Sequence, residues 1–212
     1  MAYGFARTAD LKRILEEVSG QNLTNFFNQW YNGEGYPTYQ VQWSDFGSSS
    51  VQIKVNQVTS DPSVSFFEMP VTLKFKNASQ EKTIVVDHTV NGEFFTRYIG
   101  FKPDTVLVDP EYWLISKNNT TAKTTFVNTG NPSVEVYPNP MQDPVTVFLQ
   151  NFSRGNAAMV LYNAAGQLIH KQNIILVNGG EIIQLNVRNL SRGVYILKIT
   201  AGDFTYTKKL LR

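Results

Sequence analysis

The side chains that could carry chemistry in this chain are few and scattered. His88 and His170 are its only two histidines, and no His-Glu-x-x-His helix brings a pair of imidazoles to one face, where they could grip zinc beside a carboxylate base. Each histidine is expected to be an ordinary strand residue with a hydrogen-bonded or solvated ring. Glu16 and Glu17 fall on the solvent side of a helical stretch, and Asp104 and Asp109 flank a strand, where carboxylates commonly serve turns and caps. There is no Gly-x-Ser-x-Gly elbow, phosphate-binding glycine loop or dinucleotide fingerprint, and Ser48, Ser49 and Ser50 sit in a turn. No residue of this chain is expected to be catalytic or to bind a metal.

Aromatic residues are a second resource, at 13% of the chain. Tyr39, Trp43, Phe66, Phe67, Phe94, Phe95, Tyr98, Tyr112 and Trp113 could form a platform on which sugar rings stack. Alternation places many of them on the inward side of strands, which favours core packing. The adjacent pairs Phe66-Phe67 and Phe94-Phe95 each must turn one ring outward, toward another domain. Asn-x-Ser/Thr triplets at Asn22, Asn77, Asn118, Asn119, Asn151 and Asn189 are too short a pattern to imply glycosylation.

The elements that must position these residues are mostly strands. A hydrophobic content of 42% over 212 residues suffices for packed cores, and nine prolines and fourteen glycines among short β-branched and aromatic runs favour sheet. The net charge of +2 comes from interspersed Lys and Arg, without the like-charge block of a nucleic-acid arm or a polybasic membrane patch. The absence of cysteine excludes disulfides and thiolate metal sites and leaves the compartment open. No apolar run reaches the roughly eighteen residues of a membrane-spanning helix, and the first residues lack a signal peptide.

Leu11, Ile14, Leu15 and Val18 recur at helical spacing, with Gly20 where the helix should stop. Leu23, Phe26, Phe27 and Trp30 repeat the pattern, with Gln21 or Asn22 as N-cap and Asn32-Gly33 as terminator. Two such short helices cannot bury their faces in each other alone, so Trp30 and the two Phe rings must meet a sheet or another domain.

From residue 38 to 109 the period becomes two, through Tyr39, Val41, Trp43, then Val51, Ile53, Val55, then Met69, Val71, Leu73, Phe75, then Ile84 and Val86. Asn91-Gly92 predicts a type I′ hairpin. Residues 116–132 are polar around Phe126 and Val127 and are expected to form a linker. Seven further strands follow, near residues 134–137, 145–149, 158–162, 168–175, 182–187, 194–200 and 204–210. The expected fold is mainly β: two Ig-like antiparallel β-sandwiches after a short two-helix segment, divided as 1–36, 37–115, 116–132 and 133–212.

The first half resembles a zinc aminopeptidase of the aminopeptidase N type at the point where the helical catalytic domain gives way to a small β-sandwich. The resemblance spans residues 8–115 and rests on Leu11-Lys-Arg-Ile-Leu-Glu-Glu-Val-Ser-Gly20, Leu23-Thr-Asn-Phe-Phe-Asn-Gln-Trp30, Gly35-Tyr-Pro-Thr-Tyr-Gln-Val-Gln-Trp43 and Val106-Leu-Val-Asp-Pro-Glu111. It implies that Phe26, Phe27, Trp30, Gly35 and Pro37 form a domain junction. The zinc helix, its downstream Glu ligand and the exopeptidase loop would lie ahead of Met1, so zinc is expected in a missing catalytic domain and no cofactor in this chain. Met1 is accordingly expected to be an artificial start.

Residues 133–212 resemble the C-terminal sorting domain of type IX (Por) secretion cargo in Gram-negative bacteria. Tyr137-Pro-Asn-Pro140, Leu161-Tyr-Asn-Ala-Ala-Gly166, Leu190-Ser-Arg-Gly-Val-Tyr195 and the closing Lys208-Lys-Leu-Leu-Arg212 carry the likeness. It implies sorting roles for Pro138, Asn139, Pro140, Gly166, Gly193, Tyr195, Lys208, Lys209 and Arg212, with the three cations as exposed recognition points. It also implies the outer-membrane export machinery as partner, cleavage of the tail after export, and an extracellular or cell-surface location.

The two resemblances together point to the noncatalytic C-terminal part of a secreted or surface zinc aminopeptidase. This part would brace the catalytic domain and carry the export signal. A surface module binding carbohydrate or protein, with the same sorting tail, is the alternative. A coplanar exposed row of Tyr39, Trp43, Phe94 and Phe95 would favour it, and burial of these rings against the helices would favour the aminopeptidase junction. A structural spacer in an adhesin is a third possibility.

Overall fold

The computed structural model describes residues 4–126, 130–177 and 179–212. Val127, Asn128 and Thr129 of the expected linker lie outside the described residues, as do Met1 to Tyr3 and Asn178. Among the described residues, no helix is long and apolar enough to cross a membrane.

Two helices come first, α1 (Thr8–Ser19) and α2 (Thr24–Trp30). The Arg7 N–H donates to the Asp10 carboxylate at 3.0 Å at the start of α1, and Gly20 ends it at φ +68° with its N–H on the Glu16 carbonyl. At this position only glycine is free of a Cβ penalty. The N-cap of α2 is Leu23, which makes no side-chain cap bond, rather than Gln21 or Asn22; the Asn22 carboxamide oxygen accepts the Thr24 N–H from one residue further out.

Seven strands build the first sandwich: β1 (Pro37–Phe46), β2 (Ser50–Thr59), β3 (Met69–Lys76), β4 (Glu81–His88), β5 (Glu93–Tyr98), β6 (Thr105–Val108) and β7 (Thr120–Lys123). One sheet has the order β5-β2-β1-β7 and the other β4-β3-β6. Tyr39, Val41, Trp43, Ile53, Leu73, Phe75 and Val86 meet between them in one buried core. Trp43 meets Phe75 edge-on at 6.4 Å, a geometry worth about 0.5–1.5 kcal/mol beyond the buried area.

The second sandwich contains β8 (Ser133–Tyr137), β9 (Val145–Gln150), β10 (Gly155–Asn163), β11 (Leu168–Leu176), β12 (Gly180–Leu185), β13 (Val194–Ala201) and β14 (Phe204–Leu211). Its sheets have the orders β11-β10-β13-β14 and β12-β9-β8, around a separate core that includes Val147, Leu149, Met159, Leu161, Leu197 and Ile199. The fold is thus mainly β, with two sandwiches behind two short helices.

Two local expectations need correcting. Asn91-Gly92 does not close a hairpin, because β4 pairs with β3 and β5 pairs with β2, in different sheets. Gly92 has φ +79° while Asn91 stays out of the left-handed region, so the turn is not type I′. Instead the Asn91 side chain takes the Gln57 N–H at 2.8 Å and donates to the Gln57 carbonyl at 3.1 Å, and the Gly92 N–H bonds to the Val55 carbonyl. The turn is pinned to β2 and carries the chain from one sheet to the other.

The second correction concerns the polar stretch after residue 115. Thr120–Lys123 forms β7, parallel to β1 from Gln40↔Thr120 to Trp43↔Lys123. An edge strand needs a backbone partner more than an apolar face, and all four of its residues are exposed.

Candidate functional site

His88 and His170 lie in different sandwiches, on β4 and β11. His88 is 0% exposed, and neither ring nitrogen has a hydrogen-bond partner among the described residues. Its ring is therefore neither bonded nor solvated, contrary to expectation. It packs edge-on to Phe66 at 4.9 Å and to Tyr39 at 6.2 Å. Burial pushes its pKa down, against the upward pull of Glu93. Asp109 does serve a turn, its carboxylate accepting the N–H groups of Trp113 at 3.0 Å and Leu114 at 2.8 Å. Among the described residues no three His, Cys, Asp or Glu side chains gather to hold a metal.

What the fold does build is a pair of surfaces at opposite ends of the first sandwich. β1 runs from Pro37 at the helical end to Phe46 at the other. At the helical end Trp30 lies on Phe67 at 4.6 Å, and the Gln29 side chain accepts the Glu68 N–H. Gly35, at φ +93°, brings the chain so close to the 60–61 loop that an added Cβ would lie 2.8 Å from Ser60 Oγ and 2.9 Å from Asp61 Cβ. Tyr36 then exchanges hydrogen bonds with Ser60, and Pro37 opens β1 opposite Thr59. Phe27 is buried and Phe26 exposed, edge-on to one another at 5.7 Å. Phe26, Phe27, Trp30, Gly35 and Pro37, the residues expected at a junction, thus share one end of the sandwich.

The same end carries uncovered apolar surface. The face of α1 made by Leu11, Ile14, Leu15 and Val18 is exposed, Val18 at 83%, and α1 has no buried residue. Beyond β6, the Asp109 clamp holds a turn from which Tyr112 and Trp113 project at 90% and 82% exposure, with Ile115 beside them. Tyr112 sits at φ +56°, a conformation that costs a bulky residue energy. Tyr39, Trp43 and Phe95, by contrast, are core residues, and Phe94 alone of that expected row is exposed, against Phe126 at 5.1 Å. There is no coplanar row, and the rings are buried in the sandwich rather than under the helices.

In the second sandwich the motif residues converge on the last strand. The Asn139 side chain accepts the Leu211 N–H at 2.9 Å and donates to the Lys209 carbonyl at 3.2 Å, and the Met141 N–H bonds to the Leu211 carbonyl. The Lys208 ammonium reaches the Val136 carbonyl at 3.0 Å. The Arg212 guanidinium donates to the carbonyls of Met141 and Arg188, and its backbone pairs both ways with Gly193. Tyr195 is buried with its hydroxyl on the Ser191 carbonyl, and Gly166 turns β10 into β11 at φ +77°. Of the three cations expected to be free for recognition, Lys209 is exposed while Lys208 and Arg212 are half-buried on backbone carbonyls. Pro138 and Pro140 flank Asn139 and narrow the backbone freedom of the segment that presents it.

Residues 135–211 match the family described as a secretion system C-terminal sorting domain. The second sandwich therefore carries an export signal. The match supports export through the type IX system and a secreted or cell-surface location. Aminopeptidase M1-D of Oryza sativa subsp. japonica is 30% identical over 89 residues, covering 41% of this chain and 10% of that protein. Ulvan lyase NLR42 of Nonlabens ulvanivorans is 36% identical over 80 residues, covering 37% of this chain and 14% of that protein. The chain thus spans about a tenth and a seventh of these relatives. The crystal structure of the chicken CNTN1 FN1-FN3 domains aligns over 84% of this chain and 66% of that one, at 14% identity and a TM-score of 0.26, too slight to argue from.

Proposed function

We propose that this chain is the noncatalytic C-terminal part of an exported zinc aminopeptidase. The first sandwich braces the catalytic domain at its helical end, and the sorting sandwich addresses the whole to the type IX machinery. The observation that carries this reading is the bare apolar face of α1, Leu11, Ile14, Leu15 and Val18, at the end of the sandwich opposite the export signal. A face of this kind is stable in water only when something covers it. Aminopeptidase M1-D as a partial relative agrees with the reading. In this view Phe26, Phe27, Trp30, Gly35 and Pro37 are the domain junction, and zinc belongs to the catalytic domain alone.

Within the sorting sandwich, Asn139, Lys208 and Arg212 act by holding β14 and the chain end in place. Lys209 is the cation left to meet the export machinery. Pro138, Pro140, Gly166, Gly193 and Tyr195 shape the segments around them.

A second reading, a surface module that binds carbohydrate or protein, is favoured by the Tyr112-Trp113 turn, which presents two aromatic rings to solvent. One experiment separates the two. Sequencing the coding region ahead of Met1 should find an in-frame His-Glu-x-x-His helix with a downstream Glu. A stop codon or an unrelated domain there would move the assignment to the binding module.

A further inference from the structure

Phe46, the last residue of β1, is 1% exposed and yet belongs to the core of neither sandwich. Its ring meets Phe148 of β9 edge-on at 5.7 Å. Gly180, which opens β12, is bare where it faces that ring, and a Cβ there would lie 2.3 Å from Phe46 Cζ. An aromatic side chain buried by another domain, over a glycine, has the character of an interface anchor.

The next residue repeats the arrangement with a charge. Gly47 turns at φ +65°, donates its N–H to the Val177 carbonyl at 3.3 Å, and faces the Glu181 carboxyl so closely that a Cβ would lie 2.4 Å from it. The Ser48 N–H donates to Glu181 Oε2 at 2.7 Å, and the Ser48 hydroxyl and Ser49 N–H complete the cradle. Glu181 is 4% exposed, and its other oxygen takes the N–H of Ile182. Among the described residues no cation pairs with it. A carboxylate buried without a counter-ion is costly unless N–H donors hold it, and successive turn amides provide such a concavity.

We propose that the Phe46–Ser49 turn is a built docking site for the second sandwich, with Phe46 as apolar plug and the turn amides as hydrogen-bond donors to the Glu181 side-chain oxygens. The export signal is therefore held at a fixed angle on the sandwich ahead of it. The contact uses β9 and β12 of the second sandwich. The motif residues Asn139, Gly166, Tyr195 and Lys209 lie on other elements, which leaves them clear of the junction while it is closed. This inference stands whether the protein ahead is a peptidase or a binding module.

The test is ¹⁵N relaxation on the full chain and its variants. The wild type should show one rotational correlation time for both sandwiches. Phe46→Ala and Glu181→Ala should each split it into two shorter values, while the core amides of both sandwiches keep their chemical shifts. Glu181→Gln, which keeps the shape and loses the charge, should loosen the contact less than Glu181→Ala. Two independent correlation times in the wild type, or a single unchanged one in Glu181→Ala, would overturn the proposal. If Phe46→Ala unfolds the first sandwich, Glu181→Ala carries the test from the other side of the contact.

Discussion

The ring of His88 stands edge-on to that of Tyr39, with centroids 6.2 Å apart and both side chains closed to solvent. Burial pushes the Tyr39 phenol up, with the Asp109 carboxylate adding to the effect, and pushes the His88 imidazole down. Both groups are thus held neutral in the core. For His88 the sign follows from linkage: a depressed folded value makes its contribution complete above the ordinary value of 6.5, and lost as pH falls through the lowered one. The first sandwich should therefore weaken on acidification. His88→Phe should flatten this dependence and, by removing buried ring nitrogens that have no hydrogen-bond partner among the described residues and only a distant Glu93 carboxylate at 3.9 Å, leave stability at neutral pH unchanged or raised by about 1 kcal/mol. Thermal unfolding of both proteins at about pH 5 and pH 7.5 checks this. An equal fall in Tm for the two would sink it.

Glu181 should respond to pH in the opposite sense. Burial raises its carboxyl above the ordinary value of 4.5, more than the N–H groups of Ser48, Ser49 and Ile182 lower it. A raised value favours the closed junction in the protonated form, fully so below the ordinary value, and the advantage is lost as pH rises through the raised one. Tyr98 lines the same cleft, and Asp45 with its partners Lys102 and Lys123 lies two residues from Gly47. Exchange of the Ser48 amide should be slowest, relative to the intrinsic rate, at mildly acidic pH. In Glu181→Gln the dependence should disappear. If the dependence persists in that variant, the titrating group is another one.

Much of this architecture is legible in the chain because it is local. The period of two marks the strands of both cores, and Leu11 to Val18 with Gly20 marks α1 and its end. What escapes is pairing at a distance. Asn91-Gly92 announces a turn, but the bonds from Asn91 to Gln57 decide that it crosses between sheets. Thr120–Lys123 is polar because it is an edge strand, and no periodicity distinguishes such a strand from linker. The Glu181 cradle was hidden for the same reason: its donors lie 133 positions away, in a glycine-serine turn of ordinary composition. In the sorting motif, Asn139 is visible as part of Tyr-Pro-Asn-Pro, whereas its grip on the last strand, 72 residues on, is not.

That grip should be measurable. Asn139→Ala removes both the acceptor for Leu211 and the donor for Lys209, a loss of about 0.5–1.5 kcal/mol for bonds at the solvent-exposed edge of the sandwich. The Leu211 amide should exchange faster and the second sandwich should unfold at lower denaturant, while the amides of β1 to β3 stay protected. Export of a reporter fused to the variant should fall with the loosening of the chain end. An unchanged Leu211 amide would mean that the strand is held by its ladder with β13 alone.

Two tryptophans of the first sandwich should behave in opposite ways. Trp43 is enclosed between the sheets against Phe75, so Trp43→Ala should cost about 3–5 kcal/mol through the lost contacts and the cavity left behind. Trp113 stands on a turn fixed by Asp109 with its ring in solvent, so Trp113→Ala should change stability by no more than about 0.5 kcal/mol. Its cost should appear in binding instead. If the helical end receives a preceding catalytic domain, Trp113→Ala and Val18→Glu should both weaken that association with little change in Tm, because both residues project from the same end of the sandwich. If the turn is a sugar platform, Trp113→Ala alone should abolish retention on a polysaccharide matrix and Val18→Glu should have no effect. Parallel measurements of Tm, association and retention on these two variants therefore separate the brace from the binding module.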